Sequence, residues 1–207
     1  MAVTVDEALS LIFEQVKPKS KQLLPIEMAL GHVLAENIIA THNLPPFDNS
    51  AMDGYAIKTD DAGKASDLAH TIFAGDKEEI RLQDRNCIKI MTGARIPHGC
   101  EAIVPIEETT ADGTQVVMPD SVRAGQHIRL TGENIQSGDF LLEQGERLHA
   151  HHITLLASQG ISQVKVYKRP RVALFASGSE LKMHFEQVKE YQLYNTNTPT
   201  TLASDQD

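Results

Sequence analysis

The sequence predicts an α+β, β-rich chain with more than one domain. Three observations carry that reading: a capped helix at the start, short β-type runs punctuated by turns through the middle, and a continuous apolar run from residue 172 of the kind that fills a buried parallel strand. The 207 residues suffice for one large domain or two small ones. Hydrophobic residues at 41% and charged residues at 23% are those of an ordinary globular protein. With no Trp and 5% aromatics, its cores must be aliphatic.

The elements follow in order. Thr4-Val5-Asp6-Glu7 is a capping box, in which the Thr4 hydroxyl accepts from the Glu7 amide and Glu7 reaches back. Val5, Ala8, Leu9, Ile12, Phe13 and Val16 then recur at helical spacing until Pro18 stops the helix. A short helical stretch is predicted over residues 26–30, closed by Gly31, with an extended, half-apolar segment over 33–41. Between Asn43 and Asp139, strands are predicted at 55–58, 71–73, 87–91, 102–106, 115–118 and 126–130, with Asp-Gly at 53–54 and at 112–113 as hairpin signals. Helix returns over 148–158, with Gly160 as its cap, and 161–167 alternates as a strand. Arg169-Pro170-Arg171 reads as a junction. The run 172–176 then predicts a strand buried on both faces, and Ser177-Gly178-Ser179-Glu180-Leu181 a loop at its carboxyl end, where open α/β sheets hold ligands. The predicted domains are residues 1–43 with 140–168, an inserted β-rich domain over 44–139, and the opening of an α/β domain over 169–207.

Composition narrows the function. A net charge of −9 argues against a general nucleic-acid binder, while leaving room for an anionic substrate held by a few local groups. Two cysteines, Cys87 and Cys100, are too few for a disulfide framework or a structural zinc site and read as reduced thiols. Asp6 and Glu7 fall where the apolar run of a secretory signal would begin. No apolar stretch approaches the ~18–20 residues that span a membrane. A soluble, cytoplasmic protein is expected.

Polar chemistry concentrates in a few places. Pro45-Pro46-Phe47-Asp48-Asn49-Ser50-Ala51-Met52-Asp53-Gly54 sets two carboxylates beside amide and hydroxyl groups, which suits a hard cation such as Mg²⁺ bound through water, and equally a set of turn caps. Ile90-Met91-Thr92-Gly93-Ala94 is a strand entering a Gly/Pro-rich loop whose hydroxyl and amides suit an oxyanion, and equally a plain surface loop. Ser177 to Glu180 offers hydroxyls and a carboxylate for an anion and metal site, or a helix cap. His149, His151 and His152 lack a further ligand at metal spacing and read as a solvated helix start.

Taken together, these stretches resemble the molybdopterin molybdenumtransferase family, MoeA, with gephyrin as its eukaryotic relative. The resemblance is carried by Leu44 to Ala56 (LPPFDNSAMDGYA), Ile90 to Pro97 (IMTGARIP), Gly99 to Val104 (GCEAIV), Gly125 to Ile135 (GQHIRLTGENI) and Arg171 to Leu181 (RVALFASGSEL), in matching order and spacing. It implies an elongated N-terminal and linker region followed by the first strand of an α/β molybdopterin-binding domain, in a cytoplasmic homodimer. The implied reaction inserts molybdate into adenylylated molybdopterin with release of AMP, Mg²⁺ being the cofactor and a molybdopterin adenylyltransferase the pathway partner. The family's catalytic positions fall on Asp53, Thr92 and Glu180, with Asp53 and Glu180 placing Mg²⁺ or the attacking water. Thr92 with the Gly93 amide would donate to phosphate or molybdate oxygens. Ser50, Gly93, Arg129, Ser177 and Gly178 are the implied substrate-binding positions; Arg129 either pairs with phosphate or buttresses Glu133.

This sequence departs from the family pattern at two positions. Ser179 stands where the family usually has Asp or Asn, and Asn195 where many members carry Asp, so the local negative charge is lower. The family also continues with most of the α/β domain and a further small β domain, so residues 1–207 alone are expected to fold but to be inactive. A non-catalytic dimerisation and scaffold module of gephyrin type is the alternative function.

Overall fold

The computed structural model describes residues 3–204. Two compact units divide the chain, one of Lys21–Tyr167 and the other of Met1–Ser20 with Lys168–Asp207.

Within Lys21–Tyr167 the main element is a six-stranded mixed sheet. Its strands are β4 (Gly54–Ile57), β5 (Ala65–Ile72), β6 (Asn86–Ile90), β7 (Ala102–Pro105), β8 (Thr110–Asp112) and β9 (Gln115–Val117), in the order β7-β4-β6-β5-β9-β8. Only β5 and β6 run parallel; the other neighbours are antiparallel. Alternation sends Tyr55, Ile57, Cys87 and Val104 into one apolar cluster, and Ala56, Ile88, Ile90 and Ile103 into another. Both faces are therefore covered, and every residue of β4 and β7 is buried. Burial also pushes the thiols of Cys87 and Cys100 up to about 11, and both are free.

A third cluster draws on chain before and after the sheet: Ile26, Leu34 and Ile38 pack with Leu142, Leu148, Leu156, Val164 and Val166. The strand β1 (Lys21–Pro25) pairs with β12 (Gln163–Tyr167), and β2 (Ile38–Ile39) with β11 (Phe140–Leu142). The helix α2 (Ala150–Ser158) starts at His149, and its Leu156 is fully buried.

In the second unit, α1 (Val5–Gln15) carries the expected capping box at Thr4 and Glu7. Its apolar stripe remains open: Val5 is 76% and Phe13 73% exposed.

Several expectations are corrected. Residues 26–30 form a single tight turn of 3₁₀ helix over Ile26–Met28, and β1, which alternates too weakly to announce itself, precedes it. Asp112-Gly113 does turn the β8–β9 hairpin, with Gly113 at φ 63°. Asp53-Gly54 does not: Gly54 opens the buried β4, which pairs with β6 and β7. The run 172–176 forms no strand, and Phe175 is 91% exposed. A strand apolar on both faces holds only between neighbours, and none lies beside it among the described residues. Instead β13 (Leu181–Lys182) pairs in parallel with β14 (Leu193–Tyr194). A helix that the Thr/Asn-rich composition concealed, α3, spans Asn197–Ser204. No helix among the described residues is long and apolar enough to cross a membrane.

Candidate functional site

The site assembles where three chain segments meet. The strand β3 (Asn49–Ser50) pairs antiparallel with β10 (Ile128–Arg129), setting Ser50 opposite Ile128 and Asn49 opposite Arg129. The loop after β6 closes the other side: Ser50 donates its amide to the Ala94 carbonyl at 3.0 Å, and Gly93 donates to the Ser50 carbonyl at 2.8 Å. Gly93 sits at φ 81°, a conformation open to glycine at little cost, and this turns Thr92 toward Asp53.

Asp53 and Thr92 are in direct contact. Asp53 Oδ1 accepts the Thr92 amide at 2.7 Å and the Thr92 hydroxyl at 2.6 Å. The Asp53 carbonyl is in turn anchored by the Ile106 amide at 3.2 Å. The Thr92 hydroxyl and then its amide hold the Asp53 carboxyl below the ordinary carboxylate range, with a smaller contribution from the charge of Lys89. Asp53 is therefore an exposed, firmly ionised carboxylate with one oxygen fixed and the other oxygen outside that double clasp.

The same clasp recurs. Asp48 Oδ1 accepts both the amide and the hydroxyl of Thr131 at 2.7 Å, and Glu101 Oε2 accepts the Thr59 amide at 2.9 Å and its hydroxyl at 2.5 Å. Hydrogen bonds from these threonines lower both carboxyls. Fastening loops is thus a general use of the motif in this chain. The Asp48 pair likewise joins two motif-bearing stretches; the Asp53 pair differs in that both its members are positions expected to be catalytic.

Such carboxyls bind protons less readily folded than unfolded. Their contribution to stability is complete above the ordinary carboxylate range and is lost as pH falls through and below it. Replacing Thr59, Thr92 and Thr131 together by valine should flatten the fall in melting temperature between about pH 5 and pH 2. An unchanged pH slope in thermal melts would contradict this.

The other expected residues fall into place as follows. Ser50 is fully buried and its hydroxyl is committed to Met52, so it does not present a group to a substrate. The Gly93 amide is spent on Ser50, and both Thr92 donors on Asp53, so the oxyanion cradle expected of this loop is already filled by the chain's own acceptors. Arg129 Nε donates to Glu133 Oε1 at 3.0 Å, while Glu133 Oε2 accepts the Leu130 amide at 2.9 Å; the buttress is formed. Ser177, Gly178 and Glu180 are exposed and belong to the second unit, where the Glu180 carboxylate folds over Gly178. A Cβ at Gly178 would meet Glu180 Oε1 at 2.5 Å. Asn195 is buried, accepts the Thr198 amide at 3.1 Å and donates from its Nδ2 to the Thr198 hydroxyl at 2.9 Å, a donation that an ionised Asp at this position could not make.

His149 and His152 act as a helix start, with His152 Nδ1 accepting the His149 amide at 3.2 Å. Among the described residues no three His, Cys, Asp or Glu side chains gather as a metal site. A groove of about 490 Å³ lies beside the Asp48–Thr131 clasp, lined in part by Phe47, Arg95 and His98; Asp53 and Thr92 are not among its lining residues. Sequence reasoning missed Thr131 as the partner of Asp48, since 83 positions separate them.

Comparison with known proteins decides the family. The MoeA N-terminal region (domain I and II) matches residues 3–160. The chain belongs to the MoeA family. A molybdopterin molybdenumtransferase of Staphylococcus epidermidis is 34% identical over 97% of this chain and 50% of its own length. One of Haemophilus influenzae is 37% identical over 94% of this chain and 49% of its own. A crystal structure of the molybdopterin biosynthesis MoeA protein from Pyrococcus horikoshii superposes with a TM-score of 0.87 at 29% identity, over 100% of this chain and 57% of that one. The chain thus spans about half the length of these curated MoeA relatives, and the mixed, sheet-rich α+β fold is that of the family.

Proposed function

We propose that this chain serves molybdenum cofactor biosynthesis as the N-terminal part of a molybdopterin molybdenumtransferase. In this reading molybdate is inserted into adenylylated molybdopterin and AMP is released. The observation that carries it is the Asp53–Thr92 pair, an ionised carboxylate fixed by a hydroxyl where two family motifs meet. Releasing AMP moves negative charge onto a leaving phosphate and needs an oriented water. Asp53, with Oδ1 held and its charge preserved, orients that water or accepts its proton. The Thr92 hydroxyl fixes the carboxylate's angle. Arg129, opposite Asn49 on β10, is proposed to meet a phosphate with the part of its guanidinium that Glu133 does not engage.

The part of the donor set that this unit supplies for Mg²⁺ is one exposed, ionised carboxylate, Asp53, an oxygen ligand of the kind a hard cation takes together with water. Bound there, it would supply charge stabilisation at the leaving phosphate. Glu180 is proposed as a further catalytic carboxylate of the whole enzyme, with Ser177 and Gly178 as substrate contacts in its loop. A cytoplasmic homodimer, fed by a molybdopterin adenylyltransferase, completes the proposal. Residues 44–139 are proposed as an inserted module, because the two sheet clusters lie wholly between Tyr55 and Ile128 while the third draws only on chain before and after 44–139.

The scaffold reading is favoured by one observation, the open apolar stripe of α1. AMP release separates the two. A fusion of residues 1–207 to the second half of the Haemophilus influenzae relative, given adenylylated molybdopterin, molybdate and Mg²⁺, should release AMP. Residues 1–207 alone should fold and release none above background. A silent fusion that is folded would favour the scaffold, and turnover by the 207 residues alone would place the whole centre within them.

A further inference from the structure

We propose that Ser50 is the positioning residue for Asp53: its buried hydroxyl holds the turn that delivers the carboxylate to Thr92. The proposal rests on the reading of Asp53–Thr92 as part of a reaction centre.

Ser50 has no exposed surface. Its Oγ donates to the Met52 carbonyl at 2.6 Å and accepts the Met52 amide at 3.3 Å, so one hydroxyl satisfies both backbone groups of a residue two positions on. That double use bends the chain between β3 and Asp53. The backbone of Ser50 is meanwhile locked, its amide to Ala94 and its carbonyl to Gly93. Ser50 is therefore the joint through which the Asp53 loop, the Thr92 loop and β10 share one geometry. Beyond the turn, Asp53 has one backbone anchor, the Ile106 amide, and its Oδ1 contact with Thr92.

Removing the hydroxyl leaves the Met52 amide and carbonyl without their partner and leaves the turn to the Ala51 amide, which donates to the His127 carbonyl at 2.9 Å, so its Asp53 end is loosened. Thr92 stays in place through Gly93 and Ala94, so the change falls on the Asp53–Thr92 distance. A displacement of about 1 Å at such a centre is enough to cost a large part of the rate. A hydroxyl that merely filled a core position would leave Asp53 undisturbed.

The test is the NMR titration of the Asp53 side-chain carboxyl in the 207-residue chain, compared across wild type, Ser50→Ala and Thr92→Ala. Wild-type Asp53 should titrate below the ordinary carboxylate range, and Ser50→Ala should move it upward toward the Thr92→Ala value. A folded Ser50→Ala chain whose Asp53 titrates as wild type overturns the proposal. Should Ser50→Ala not fold, Ser50→Cys keeps the volume with a weaker donor and acceptor, and an upward shift is expected there too; no shift overturns the proposal equally. In the fusion, Ser50→Ala should lower kcat about tenfold with KM within about twofold. A raised KM at unchanged kcat would make Ser50 a substrate contact instead and overturn the proposal. If the wild-type fusion releases no AMP, the reading of the reaction fails, while the titration still decides the role of Ser50.

Discussion

Asp53→Asn and Thr92→Ala, each made in the full-length fusion, should lower AMP release by ~10²–10³-fold, the loss typical when one charge-stabilising contact is removed from a reaction centre. Asparagine keeps the shape of Asp53 and still accepts from Thr92, so what is lost is the charge. Alanine at 92 keeps the amide contact and loses the hydroxyl, so what is lost is the carboxylate's second tether. Both side chains are exposed, and exposed charge and hydrogen-bond partners contribute little to stability. The melting temperature should therefore fall by no more than a few degrees, and a variant that unfolds while keeping its specific rate would show the clasp to be a fastener like those at Asp48 and Glu101.

Gly54→Ala should have the largest effect on folding. Gly54 opens β4, which lies between β7 and β6 in the main sheet, and stands opposite Pro105 on β7 and Ile90 on β6. A Cβ there would stand 2.9 Å from the Val104 carbonyl carbon and closer still to its oxygen. The obstruction is backbone on a fully buried strand, so no rotamer change relieves it. Overpacking of this kind costs about 1–3 kcal/mol, and more where backbone must part. Chemical denaturation should show at least that loss. Asp53 is the preceding residue, so activity should fall with stability. An alanine variant as stable as wild type would mean that β4 and β7 do not approach as closely as described.

Much of this was legible in the sequence, for reasons that differ by element. The α1 capping box needs only residues within one turn, and the Asp112-Gly113 hairpin only a dipeptide; both are local, and both are present. Strands β6, β7 and β9 were placed to within a residue or two because their apolar runs are bounded by turn residues. Gly54 misled because Asp-Gly signals a hairpin, whereas this glycine answers to a neighbour fifty residues away. The run 172–176 misled because its composition describes a strand that has neighbours, and pairing is not a property of the segment itself. At the site, Asp53 and Thr92 were marked by their motifs, but their contact spans 39 positions. That the donors of Thr92 and Gly93 are already spent within the chain, and that Ser50 faces inward, are facts of packing that no spacing records.

Asp53 and Thr92 are proposed to act as one unit in the release of AMP. The most direct measurement is the rate of the Asp53→Asn/Thr92→Ala double variant of the fusion beside each single variant and wild type. Groups that act as a unit are strongly non-additive. A single unit should leave the double variant about as slow as the slower single variant. Losses that multiply would make the two residues independent contributors, and rates near wild type in all three would contradict the claim outright.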